Sequence, residues 1–122
     1  MSDAAFLKAE EVSPKPGAKH ATVALIVCNS IGQRETTVLT AELVAAGDRT
    51  NWRLALDFSN VGMITSVGIG MLVTLHNKTK AAKGCLVLFG MRKELMELLR
   101  LTRLDRMFSV AADRAAALAS MP

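Results

Sequence analysis

The stretch from Asn60 to Gly70, "NVGMITSVGIG", sets two hydroxyl side chains, Thr65 and Ser66, between an apolar run and a pair of glycines, Gly68 and Gly70. Three chemistries use such residues: a loop that cradles a phosphate, an activated nucleophile, and a hydroxyl that itself accepts a phosphate. The first fails on spacing. A dinucleotide fingerprint begun at Gly68 needs a third glycine where Val73 stands, and no GxxxxGK[ST] run occurs. A GxSxG elbow fails as well, because Ile64 holds its first glycine place. A serine nucleophile needs a base within hydrogen-bond reach, and the two histidines do not supply one. His20 falls in a turn, while His76 lies ten residues along the same helix, roughly 15 Å away at 1.5 Å per residue. Asp57, at a strand end, reads as a residue that holds a loop by hydrogen bonding. Cys28 and Cys85 sit inside apolar runs and read as two buried free thiols. With no catalytic or metal-binding constellation, the sequence points away from an enzyme and calls for no cofactor or metal.

What remains is a strand, a loop and a helix that begins at Thr65 or Ser66, where a hydroxyl can cap the first turn by accepting a backbone N–H. The glycines need a further reason, since each costs roughly 1 kcal/mol relative to alanine inside a helix. Lacking Cβ, they let another backbone approach, either the protein's own sheet or a docking partner. The helix is apolar almost all round in its first turns: Ile69, Leu72 and Val73 line one stripe, and Val67, Met71 and Thr74 another. One stripe needs the sheet. The other needs a partner or the domain's own loops; with Val67 and Met71 exposed beside a hydroxyl, it is expected to form a small binding surface of Val67, Gly68, Gly70, Met71 and Thr74.

The elements that position this motif follow from hydrophobic period and turn chemistry. A short strand over 6–12, a Pro- and Gly-bearing turn over 13–20 and a buried strand over 21–28 predict an antiparallel hairpin. A loop at 29–32 leads to a first helix over 33–47, with Gly47 as its expected C-cap. A strand over 52–58 then runs into the motif, and the second helix spans 66–83 and stops at Gly84. "CLVLF" (85–89) is another buried strand, "MRKELMELLRL" a helix with Leu95, Leu98 and Leu99 on one stripe, "DRMFSV" a final short strand or extended segment, and "AADRAAALAS" a terminal helix. The expected fold class is α/β, with a mixed sheet of four to five strands: the hairpin is antiparallel and βα units follow through right-handed crossovers, with about four helices packed on the sheet.

A chain of 122 residues, 51% hydrophobic and 21% charged, suits one domain over 1–122, in which 1–20 is an N-terminal strand and turn, in part flexible. The net charge of +4 is spread over several segments without tyrosine and without aromatic interleaving, so it does not argue for nucleic acid. No apolar run reaches the roughly 20 residues that span a bilayer, and the N-terminus lacks the apolar core of a secretory signal. Neither nucleic acid nor membrane is expected as a partner, and the expected location is the cytoplasm.

Residues 54–91, "LALDFSNVGMITSVGIGMLVTLHNKTKAAKGCLVLFGM", with "ELLRLTRLDRMFSV" and the alanine-rich last helix, resemble the STAS family, the domains of anti-sigma factor antagonists and of sulfate-transporter tails. The resemblance covers nearly the whole chain and implies a regulatory module without enzymatic activity, which docks the start of its second helix on an anti-sigma factor with a kinase-type ATPase fold. It implies that this kinase phosphorylates the antagonist there and blocks re-binding, and that a serine phosphatase restores it. The usual antagonist motif is Asp-Ser-Ser-Gly-Leu-Gly, phosphorylated on the serine directly before the first glycine, a place held here by Val67. Ser66 matches the preceding serine and Thr65 the aspartate, which leaves Ser66 or Thr65 as the phosphorylation candidate. The segment 29–35, "NSIGQRE", also departs from the "G-x-L-D" pattern of antagonists. Other uses of the family remain open: a scaffold subunit that joins other STAS proteins, or a module that binds a nucleotide or lipid.

Overall fold

The computed structural model describes residues 6–13 and 19–121. The turn expected at 13–20, and with it much of the segment expected to be partly flexible, falls mainly outside these residues. The first strand, β1 (Leu7–Val12), runs antiparallel to β2 (Ala21–Ile26), with Leu7 opposite Ile26 and Val12 opposite Ala21. From β2 onward each strand of the main sheet leads through a loop to a helix: α1 (Gln33–Arg49), β4 (Arg53–Asp57), α2 (Ser66–Ala81), β6 (Cys85–Phe89), α3 (Lys93–Leu101), a 3₁₀ turn (Leu104–Arg106), β7 (Ser109–Ala111) and α4 (Arg114–Ala119), with two short strands, β3 (Ser30–Ile31) and β5 (Met63–Ile64), inside the loops before α1 and α2. The sheet order is β1-β2-β4-β6-β7, and every pair after the first is parallel. Helical crossovers make this possible, since parallel neighbours cannot be joined by a tight turn.

Period-two alternation gives the sheet two unlike faces. Ala24 and Ile26 of β2, Leu54 and Leu56 of β4 and Leu86 and Leu88 of β6 point to one side, where Leu39, Leu43, Leu72, Leu75, Leu95 and Phe108 cover them. Ala21, Val23, Ala55, Val87 and Phe89 point to the other, packed with Ala117 and Met121 at the end of the chain. Central strands buried on both faces explain why "ATVALI" and "CLVLF" read as continuous apolar runs.

Two boundaries differ from expectation. The first helix does not stop at Gly47; it continues to Arg49 and is capped at Thr50. Gly47 is there for contact, because a Cβ on it would lie 2.8 Å from the Trp52 ring. The loop at 29–32 and the segment before α2 contain a second, two-stranded parallel sheet, β3 (Ser30–Ile31) with β5 (Met63–Ile64). The two thiols are free, and both are half-buried rather than buried. Burial pushes each above its ordinary value, with a backbone hydrogen bond opposing this at Cys28 and the Arg53 charge at Cys85.

Candidate functional site

The two-stranded sheet of β3 and β5 builds the start of α2. The carbonyl of Asn29 accepts from Gly62 N (2.7 Å) and Met63 N (3.3 Å), and Thr65 N donates to Ile31 O at 2.9 Å. The Thr65 hydroxyl also donates to Ile31 O (3.2 Å) and accepts from Gly68 N (3.4 Å), which makes Thr65 the N-cap. Its one proton and a lone pair are committed to holding β3 against α2. Ser66, one residue on, is exposed at the first helical position and has no side-chain hydrogen bond among the described residues. The structure therefore separates the two hydroxyls, one serving as a cap and the other exposed without a hydrogen bond among the described residues.

The glycines separate in the same way. A Cβ on Gly68 would lie 2.5 Å from Ile64 Cγ1 and 2.9 Å from Ile31 O, so this glycine is required by the chain's own β3–β5 pair. A Cβ on Gly70 would meet nothing within 4 Å. Gly70 faces open space, and nothing inside the fold offsets its cost to the helix.

Met71, expected on the exposed stripe, is only 5% exposed and belongs to the core. The reason is helical phase: Gly68, Met71, Leu72, Leu75 and Thr79 recur at the spacing of one face and are the residues α2 buries. Gly68 leaves the proposed surface with Met71. Ser66, Val67, Gly70 and Thr74 remain outward, with Ile69 and Val73 half-buried at the flanks. Val67 is 46% exposed, and Met63, which sequence reasoning passed over, is 61% exposed two residues before the cap. The Thr74 hydroxyl turns back to Gly70 O at 3.1 Å, so Thr74 offers a methyl group to its surroundings. The exposed surface is thus apolar around one uncommitted hydroxyl.

The first turn of α2 carries no acidic side chain, leaving its partial positive charge unopposed by its own residues. Asp57 accepts from Ser59 N at 2.9 Å, the loop-holding role its place suggested. Arg92, before α3, donates from Nε to Ser59 O at 3.3 Å and braces the same loop. Its link to the site spans 33 residues, a separation at which sequence spacing carries no signal. His76 packs edge-on against Phe108, with ring centroids 5.7 Å apart. Among the described residues no group of His, Cys, Asp and Glu could hold a metal ion, and no helix is long and apolar enough to cross a membrane.

The family model of the STAS domain matches residues 34–117. The chain belongs to the STAS domain family. This STAS domain resembles a Thermotoga maritima protein provisionally assigned as an anti-sigma factor antagonist, with a TM-score of 0.77 at 18% identity over 95% of this chain and 93% of the other. It resembles equally an anti-sigma-factor antagonist (STAS) domain protein from Planctomyces limnophilus, at a TM-score of 0.77, 19% identity, and coverage of 93% and 97%. The anti-sigma factor antagonist SpoIIAA in its unphosphorylated form aligns with a TM-score of 0.64 at 11% identity, covering 88% of this chain and 89% of that one. At these identities the likeness is one of fold, and it bears out the mixed STAS sheet expected from the sequence. No curated protein sequence matches the chain.

Proposed function

We propose that this STAS domain is a non-enzymatic regulator of transcription in the cytoplasm, which binds an anti-sigma factor of kinase-type ATPase fold through the outward face at the start of α2. Phosphoryl transfer from the kinase's ATP to Ser66 Oγ, with loss of the hydroxyl proton, then opposes docking until a serine phosphatase hydrolyses the ester. The observation that carries this reading is the free Ser66 hydroxyl, set among exposed Met63, Val67 and Gly70 and beside a committed Thr65. A phosphate adds roughly −1.5 to −2 charges and demands solvation, so it disfavours an apolar contact. An uncompensated helix N-terminus tolerates the same charge within the fold. The anti-sigma factor antagonist descriptions of the structural neighbours support the choice of partner.

The test is affinity capture of the tagged chain from its host, run beside Ser66→Asp and Val67→Asp, with mass spectrometry of bound proteins and of the peptide containing Ser66. Recovery of a kinase-type ATPase by the natural chain and its loss in both variants is the expected result. Undiminished recovery by both variants, or recovery of other STAS proteins alone, overturns it.

A further inference from the structure

We infer that β1 is a self-complementary edge through which two copies of this chain pair into one continuous sheet. β1 ends the strand order, and its outer side is joined to no other strand among the described residues. The direction of its backbone groups can be read from the hairpin. Val27 N donates to Phe6 O at 2.9 Å, one step beyond the Leu7–Ile26 pair, so Phe6 and Val27 form a hydrogen-bonded pair. Hydrogen-bonded and open pairs alternate along an antiparallel ladder. Lys8, Glu10 and Val12 therefore turn their N–H and C=O groups toward β2, and Leu7, Ala9 and Glu11 turn theirs outward.

A twofold axis perpendicular to the sheet pairs β1 with its copy antiparallel and keeps each face on its own side. Only residues of like parity can then stand opposite one another, which leaves three central registers. One puts Lys8 against Lys8, and another puts Glu10 against Glu10; both set like charges together. The third is centred on Ala9. It places Leu7 opposite Glu11, Ala9 opposite Ala9 and Glu11 opposite Leu7, all as hydrogen-bonded pairs made by the outward groups. Lys8 then faces Glu10 twice, in the open pairs where side chains approach more closely. Glu10 already holds Arg114 at 2.7 Å on that face, so each Lys8 adds to an existing ion pair. Ala9, exposed and small, lets the two strands meet at the axis. The charges on this edge exclude slipped registers and select one partner, a second copy of the same strand.

The test is sedimentation velocity of the full chain across a concentration series reaching on the order of 100 μM, since a dimer must follow mass action. A reversible dimer is expected. Lys8→Glu turns both pairs into like charges and should weaken dimerisation by roughly tenfold or more. The swap Lys8→Glu with Glu10→Lys, made together with Arg114→Glu so that residue 10 keeps an opposite charge beside it, should restore it. Ala9→Pro removes an outward N–H that the fold itself does not use and should abolish the dimer, with circular dichroism confirming the native fold. A chain that stays monomeric, a dimer indifferent to Ala9→Pro, or a charge swap that fails to rescue Lys8→Glu each overturns the inference. None of these variants touches α2, so their outcome is independent of the proposed kinase contact.

Discussion

Thr65 and Ser66 are neighbours with the same functional group, yet their surroundings give them different work. Thr65 holds Ile31 O and Gly68 N, whereas Ser66 holds nothing among the described residues. Thr65→Ala should therefore cost about 1 kcal/mol in urea unfolding, the usual cost of a lost N-cap, and more where β3 loosens with it. Ser66→Ala should leave stability unchanged within about 0.5 kcal/mol and remove the phosphate incorporation proposed above. The reverse pattern, a costly Ser66→Ala and a silent Thr65→Ala, would exchange the two roles. The sequence brought both hydroxyls to attention but could not choose between them, because the choice depends on Ile31, 34 residues earlier in the chain.

Among the elements, α2 contains the clearest conflict between local preference and fold. Two glycines in its first turns weaken the helix, one for the sake of β3 and β5 and one for no internal reason. Gly68→Ala should destabilise by about 1–3 kcal/mol, the range for overpacking against backbone. Gly70→Ala should stabilise by up to about 1 kcal/mol and weaken binding of the partner proposed above. Thermal melts with a binding isotherm for each variant would separate the cases; equal effects at both positions would refute the distinction. Much of the element order was legible, because four- to six-residue apolar runs and 3.6-residue stripes are strong signals. The β3–β5 pair was not, since two-residue strands have no period to detect. Met71 was misplaced because a helix apolar almost all round fixes relative angles, not which stripe meets the sheet. Gly47 was misread as a stop because glycine marks both helix ends and close contacts, and only the Trp52 ring distinguishes them.

Across the whole molecule, the parallel order of β2, β4, β6 and β7 sends every strand-to-helix loop to one end of the sheet and every helix-to-strand return to the other. The α2 start lies at the first end. The non-glycine residues of positive φ among those described are Asn51, Trp52, Lys83 and Arg103, and all follow the helices at the second end. L-residues pay for that conformation, so exposed Lys83 (φ 59°) carries a removable cost. Lys83→Gly should raise stability by about 0.5 kcal/mol, or at worst leave it unchanged once glycine's greater unfolded freedom is counted, without altering anything bound at α2. A fall of more than about 1 kcal/mol in chemical denaturation would mean that the lysine side chain does something the conformation does not explain. This separation bears on how such a domain can change over time. Substitutions that try out new partners at one end are usually destabilising, and the opposite end holds a reserve of stabilising changes that can absorb them. Recognition can thus drift at one pole while foldability is replenished at the other.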